Sequence, residues 1–361
     1  MKSNYDILGN HIRLVDTRNK DNITDRVLGI NIDKYFMSSV ANVIGTDLSK
    51  YKLITKGKFA CNPMHVGRDE RLPVALYNEE EPAIVSPAYF MFEVIDNTLL
   101  NEEYLMMWLR RSEFDRVCWL YTDGSVRGGI TWDAICRLEV PVPPMEEQLE
   151  IVNSYKAITD RIDLKQKIND NLEATAQAVL QDKINQNGSE TTVESILSLY
   201  DSMRKPMSNL DRSSMERIYP YYGAASLMDY VDDYIFDGIY GLIGEDGTVM
   251  DENGYPTMQY VWGKFWVNNH AHIFQGENGY STEMAYLILK NTVVRDAVTG
   301  AVQLKINQEN LRNLPVYVPC EDDLPELNIV IDNMFITIRE NRTEIEHLTN
   351  FQDILLAKLS D

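Results

Sequence analysis

The stretch Gly124-Ser-Val-Arg-Gly-Gly-Ile-Thr-Trp-Asp-Ala-Ile-Cys-Arg-Leu-Glu-Val-Pro-Val-Pro143 returns 176 residues later. It reads there Gly300-Ala-Val-Gln-Leu-Lys-Ile-Asn-Gln-Glu-Asn-Leu-Arg-Asn-Leu-Pro-Val-Tyr-Val-Pro319. Gly124, Val126, Ile130, Leu138, Val140, Val142 and Pro143 keep their identity, Asp133 faces Glu309 and Ile135 faces Leu311. Each copy ends in alternating apolar residues (Val140, Val142; Val316, Val318) closed by proline, the pattern of a short terminating strand. An acidic turn and a long amphipathic segment follow each copy. A period this long is not that of a solenoid. It marks a duplicated unit, a globular domain followed by a helix, occurring twice.

The amphipathic segments predict two long helices. The first spans 145–187, with Ile151, Tyr155, Ile158 and Ile162 at 4-3-4 spacing. Its register runs on through Lys165 and Asn169 to Leu172, Ala176 and Val179. The second lies within 321–361, with Ile331, Met334, Ile338, Asn341, Ile345, Leu348, Gln352, Leu355 and Leu359 in 3-4 alternation. A narrow stripe held for about four heptads favours a coiled-coil seam over a broad core face. Helices of ~35–40 residues would be ~50–60 Å long, far beyond the usual ~12 residues. Pairing with each other is the natural solution, and Asn169 and Asn341 in the seams read either as register-setting polar residues or as solvent-exposed positions at a frayed stretch. Asn187-Gly188-Ser189 gives the stop before the second domain.

Between the helices the chain reads as α+β. Ala83–Val94 looks like strands meeting at Pro87, and Glu102–Phe114 like a short helix. Lys264–Phe274 and Ser281–Lys290 repeat that order in the second half, and Gly238, Gly241, Gly244 and Gly247 read as turns interrupting it. The fold class is therefore two mixed α/β domains, 1–144 and 188–320, separated by helices at 145–187 and 321–361 that pair as an antiparallel coiled coil.

The chain has 361 residues, 34 Lys+Arg and 55 Asp+Glu, a formal charge of −21. An ordinary apolar content excludes wholesale disorder. No stretch approaches the ~20 apolar residues of a membrane span, and no apolar signal core opens the chain, so a cytoplasmic protein is expected. Four scattered cysteines suggest neither a metal knuckle nor a disulfide scaffold. The net charge alone argues against nucleic acid, which rewards Lys and Arg. Its distribution does not. Residues 1–71 are net +4, residues 221–263 hold eight carboxylates and no base, and Glu321-Asp322-Asp323 precedes the last helix. The acidic stretches read as solvated loops.

No phosphate loop, dinucleotide glycine fingerprint, nucleophile elbow or H-E-x-x-H occurs. His270 and His272, at i and i+2 on a strand, are the best metal candidates. Lys and Arg interleaved with aromatics carry more. They are Lys56, Lys58, Arg68 and Arg71 between Tyr51 and Tyr77, and Arg204, Lys205, Arg212 and Arg217 before Tyr219-Pro-Tyr-Tyr222. Arg127 and Lys305 in the repeated segment, and Lys264, complete the set. Such clusters suit phosphate positioning with base-edge readout.

The whole layout resembles the specificity subunits of type I restriction–modification systems. The residues that carry the resemblance in the second half are Tyr219-Pro-Tyr-Tyr-Gly-Ala224, Ile243-Gly-Glu-Asp-Gly247, Phe265-Trp-Val-Asn-Asn-His-Ala-His272 and Gly300–Asn307. In the first half they are Gly57-Lys-Phe-Ala60, Gly124–Ile130 and, most specific, Val140-Pro-Val-Pro-Pro-Met-Glu-Glu-Gln-Leu-Glu-Ile151. The second copy departs, reading Pro319-Cys-Glu-Asp-Asp-Leu324 at the corresponding place.

The resemblance implies a non-catalytic DNA reader. Each target-recognition domain would read half of a bipartite site in double-stranded DNA, with the helices as a ruler. Two modification subunits would dock on the helices, where Ile151, Ile158, Ile162, Leu172, Ile338, Ile345, Leu348 and Leu355 are the expected contacts. S-adenosylmethionine would sit on those partners, and ATP with Mg on two restriction subunits where these join; no cofactor is expected in this chain. Two other readings stand beside it: an acidic scaffold or DNA mimic occupying a DNA-binding partner, and a metal-dependent enzyme at His270 and His272.

Overall fold

A computed structural model describes residues 4–40, 45–122, 128–300 and 303–359. The chain forms two compact units, Met1–Asp163 with Ile345–Asp361, and Leu164–Glu344.

The first unit opens with strands β1 (Tyr5–Ile7), β2 (Ile12–Leu14), β3 (Val27–Ile30), β4 (Phe36–Ser38), β5 (Lys52–Ile54) and β6 (Lys58–Cys61). Helix α1 (Val66–Asp69) leads to β7 (Val74–Tyr77), β8 (Ala83–Val85) and β9 (Phe90–Val94). Then come α2 (Glu102–Leu109), α3 (Ser112–Leu120), α4 (Trp132–Cys136), β10 (Glu139–Pro141) and the long α5 (Met145–Asn187). The second unit takes the part of α5 from Leu164 onward and continues with β11 (Ser189–Thr192), β12 (Leu197–Leu199), α6 (Asn209–Ser213), β13 (Tyr219–Tyr222) and β14 (Leu227–Val231). It continues through β15 (Phe236–Gly244), β16 (Met258–Val267), β17 (Ala271–Gly276), α7 (Thr282–Lys290), β18 (Val298–Thr299) and β19 (Lys305–Ile306). Helix α8 (Gln308–Arg312), β20 (Pro315–Val318) and α9 (Leu324–Lys358) close the chain.

The duplication is present in the strand pairing as well as in the sequence. The first unit has the four-stranded sheets β2-β9-β6-β7 and β4-β3-β8-β5; the second has the six-stranded sheet β12-β17-β15-β16-β13-β14. In both, an antiparallel ribbon (β3–β4; β13–β14) lies parallel to the next strand (β8; β16). The following pairings also match if β5 and β6 together stand for β15. The β1–β10 and β11–β20 pairs correspond too. The repeated words have a physical reason. Thr131 and Asn307, aligned, cap α4 and α8 by accepting from Ala134 N (3.2 Å) and Asn310 N (2.7 Å). Their apolar neighbours Ile130 and Ile306, Ile135 and Leu311, Leu138 and Leu314, Val140 and Val316 are all buried.

The Glu-Gln motif after the first Pro-Pro also finds its reason. Gln148 is fully buried. Its Nε2 donates to Leu99 O (2.9 Å) and Pro143 O (2.7 Å), and its Oε1 accepts from Asn101 N (2.9 Å). One side chain thereby fixes the start of α5 to the N-terminus of α2. At the 176-residue offset the second copy has the buried Leu324, the first residue of α9. Asn328, one turn on, takes over: it accepts from Ser281 N (3.0 Å) and donates to Gly279 O (2.7 Å). The departure of the second copy is thus a relocated clamp.

Within each unit the long helices run antiparallel. In the second, Asn341 Nδ2 donates to Asn169 Oδ1 (2.8 Å), Lys165 reaches Asn341 Oδ1 (2.8 Å), and Lys183 pairs with Asp323 (2.7 Å). In the first, Gln352 Nε2 donates to Thr159 Oγ1 (2.7 Å), and Val152 and Leu359 share one core cluster. Both seam asparagines are buried against each other, as a register-setting pair requires.

Four local expectations need correction. The segment 102–114 is two helices rather than one, because Arg111, at the position before α3, takes an extended conformation. Gly238, Gly241 and Gly244 lie inside β15; a Cβ on Gly241 would overlap the Phe274 ring of the neighbouring strand. Of the eight carboxylates of 221–263, Asp229 and Asp237 lie on β14 and β15 rather than in loops, while Asp232, Asp233, Glu245, Asp246, Asp251 and Glu252 lie in the segments between strands as expected. His270 sits in the turn before β17, off the strand that carries His272.

Candidate nucleic-acid interface

In the first unit Lys56, Arg68 and Arg71 are exposed and bound to carboxylates: Glu80, Asp69 (2.6 Å) and Asp33 (3.0 Å). Pairs at such a surface contribute about 0–1 kcal/mol, so these cations remain able to exchange partners. Lys58 is half-buried and donates to Thr55 Oγ1 at 2.7 Å. Arg127 lies outside the described residues. Lys34, which the sequence pattern did not single out, is buried at the β3–β4 turn with its ammonium on Asp115 (2.8 Å) and Leu109 O (2.6 Å).

The second unit sorts its cations into two kinds. Arg204 and Arg212 are built into the fold. Arg204 donates to Glu245 (2.6 Å) and lies 3.4 Å from the Asp201 carboxylate. Arg212 is buried, stacks on Tyr221 (4.7 Å), and donates to Asp229 (3.2 Å) and Met207 O (2.6 Å). Lys205, Arg217, Lys264 and Lys305 are at the surface. Arg217 leans over Tyr230 (5.7 Å) and Lys264 over Tyr234 (4.5 Å), whose ring packs on Tyr219. Holding a cation against an aromatic face fixes its direction while leaving its charge outward.

Arg204 belongs to a buried knot whose other members come from distant elements. Asp201 Oδ2 meets His272 Nδ1 (2.5 Å) and accepts from Gln308 Nε2 (2.6 Å); its Oδ1 accepts from Ile273 N (3.0 Å). Glu245 also takes Lys305 at 3.1 Å. Burial alone would raise both carboxyls. For Asp201 the hydrogen bond and charge of His272 outweigh burial, with help from the Ile273 amide and Arg204. For Glu245 Arg204, His272 and Lys305 do the same, and both end below their ordinary values. Groups depressed on folding stabilise the protein above their unfolded pKa, and the contribution is lost as pH falls through the folded values. The stability of the second unit should therefore fall as the pH drops below about 4. In Asp201→Asn that acid dependence should flatten, as followed by denaturant melts between pH 6 and 3; an unchanged slope would remove Asp201 from the cause.

The three ligand-type groups Asp201, Glu245 and His272 lie together. Two cations already neutralise them, and both His272 nitrogens are engaged, Nε2 with Ile306 O at 2.8 Å. This donor set does not fit a divalent metal. His270 pairs separately with Asp246 (2.6 Å), so the two histidines do not converge. Asp201 and Gln308 could not be found from local pattern: their partners lie about 70 to 107 residues away in the chain.

On the long helices Ile162 and Ile338 are buried, while Ile151, Ile158, Leu172, Ile345, Leu348 and Leu355 are half-buried. Leu164, Ile329, Phe351 and Ile354 on the same helices are exposed. No helix among the described residues is long and apolar enough to cross a membrane.

Comparison with known proteins places this geometry. The family model of the Type I restriction modification DNA specificity domain matches twice, at residues 73–174 and 191–330. A protein of Haemophilus influenzae named as a type I restriction enzyme specificity subunit, S.HindORF215P, is 32% identical over 127 residues. That match covers 35% of this chain and spans only 32% of the relative's length. The crystal structure of a type I restriction–modification system S subunit from M. genitalium has the same fold. It aligns with a TM-score of 0.58 over 98% of this chain and 95% of that one, at 16% identity.

Proposed function

The chain belongs to the Type I restriction modification DNA specificity domain family, and from that premise we propose that it is the sequence-reading subunit of a type I restriction–modification complex. It reads one half of a bipartite, asymmetric DNA target with each unit. The reacting chemistry, adenine N6 methylation with S-adenosylmethionine, resides on two modification subunits. ATP-driven restriction resides on further partners. The observation that supports this best is the duplicated strand topology, two copies of one reader in a single chain.

The long helices act as the ruler. At 1.5 Å per residue, α5 and α9 extend ~65 and ~50 Å, enough for half-sites about one helical turn (~34–36 Å) apart. Modification subunits meet the outward apolar residues Leu164, Ile329, Phe351 and Ile354. The seam residues are less available, since this chain's own helix packing covers them. The charge of −21 makes the free chain a poor DNA ligand, with partners completing the positive clamp.

Two measurements test this. Cells carrying the chain with its modification subunit should show N6-methyladenine in a single bipartite motif; no motif would sink the proposal. Duplex binding in fluorescence anisotropy should be weak for the chain alone. It should strengthen steeply, and become salt-dependent, once the modification subunit is added. If duplex DNA instead competes with the chain for that partner, the chain is a DNA mimic.

A further inference from the structure

Each unit carries one ribbon at a sheet edge, and the two ribbons share topology but not chemistry. In the first unit the ribbon is β3–β4, with Tyr35 exposed at its turn and Lys34 drawn inward. In the second it is β13–β14, and β14, the edge strand, exposes Leu227, Met228 and Tyr230. A bare apolar edge is a liability that proteins ordinarily cover or charge.

Three observations say what covers it. The chain leading into the ribbon, residues 203–220, holds Arg204, Lys205, Arg212 and Arg217 against Asp211 and Glu216, net +2 in an acidic half. The ribbon's own carboxylate, Asp229, is neutralised by Arg212 (3.2 Å) and Arg217 (3.4 Å). Met228 is held in place rather than loose: it lies over Gly223, where a Cβ would overlap its thioether, and its sulfur is 3.2 Å from Asn268 Nδ2. A lead-in with Lys205 and Arg217 at the surface, a neutralised strand and fixed apolar tips complement DNA, and a two-stranded ribbon fits the major groove.

We infer that the β13–β14 ribbon is the base-reading element of the second unit, with Leu227 and Met228 against apolar base edges such as thymine methyls and Arg217 on the adjacent phosphate or guanine. The inference rests on the DNA-reading function proposed above and assigns it to named residues.

The test uses the assembled complex with its modification subunit and its methylated motif as substrate. Met228→Gln and the double variant L227A/M228A should relax or change bases in one half-site only, leaving the other as in the parent. Arg217→Ala should weaken binding about tenfold. As a measurement that needs no variant, 5-iodouracil or 5-iodocytosine replaces each pyrimidine of the motif in turn. Photo-crosslinks from one half-site should then map to residues 217–231. An unchanged motif and affinity in variants that still bind DNA, or crosslinks from both half-sites only to other segments, overturn this assignment and leave the DNA-reading function standing. Failure of the parent complex to bind duplex overturns both.

Discussion

Arg204→Met is expected to destabilise the second unit by about 3–5 kcal/mol, the usual consequence of removing one partner from a buried ion pair. The Arg204 side chain is 11% exposed, and its partners Asp201 and Glu245 are 2% and 13% exposed. Without the guanidinium, Ala271 O loses a donor and the two carboxylates keep only the Lys305 ammonium and their hydrogen bonds, the one to His272 among them. The loss should be local. Hydrogen exchange should accelerate in peptides around Asp201, Glu245, His272 and Ile306 while first-unit peptides stay protected. A stability change below about 1 kcal/mol, combined with weaker DNA binding, would return Arg204 to the phosphate-contacting set instead.

Gln148→Leu should be nearly as damaging to the first unit. It strips partners from Asn101 N–H, Leu99 C=O and Pro143 C=O together. Each buried group left unpaired costs about 1–3 kcal/mol, against about 5–15 kcal/mol for a whole domain. Leucine is chosen because it fills a similar volume without hydrogen-bonding groups, so the substitution isolates the hydrogen bonds from the packing. Faster exchange at residues 99–101 and a lower first-unit melting transition are the readouts. Asn328→Ala should do the same at residues 279–281, where that side chain bridges Ser281 and Gly279. If Gln148→Leu melts like the parent, the clamp is not what conserves the geometry between α5 and α2.

Much of the fold was legible because its signals are local. Helix α5 ends within a residue of where Asn187-Gly188 places the stop. The 3-4 stripe placed Asn169 and Asn341 in the seams, and the structure decides between their two readings by burying them against each other. The errors also have local causes. Four glycines spaced three residues apart look like turns. Three of them sit in a strand, and at Gly241 the reason is a ring on the neighbouring strand that no local window contains. Arginine shows the same divide. Arg204, Arg212 and Arg217 are equivalent as letters beside aromatics. Only packing makes the first two internal braces and leaves the third at the surface.

By itself, then, the sequence determined the duplication, the long helices with their seam, and the order of elements in each half. These follow from periodicity, caps and chain punctuation, which act within a few turns of backbone. Tertiary structure alone decided which cations are available to a ligand, that Asp201 and His272 meet, and that Asn328 replaces Gln148. Those outcomes depend on desolvation and hydrogen-bond completion between residues far apart in the chain. Burial turns such a side chain into a brace only when a partner on another element completes it.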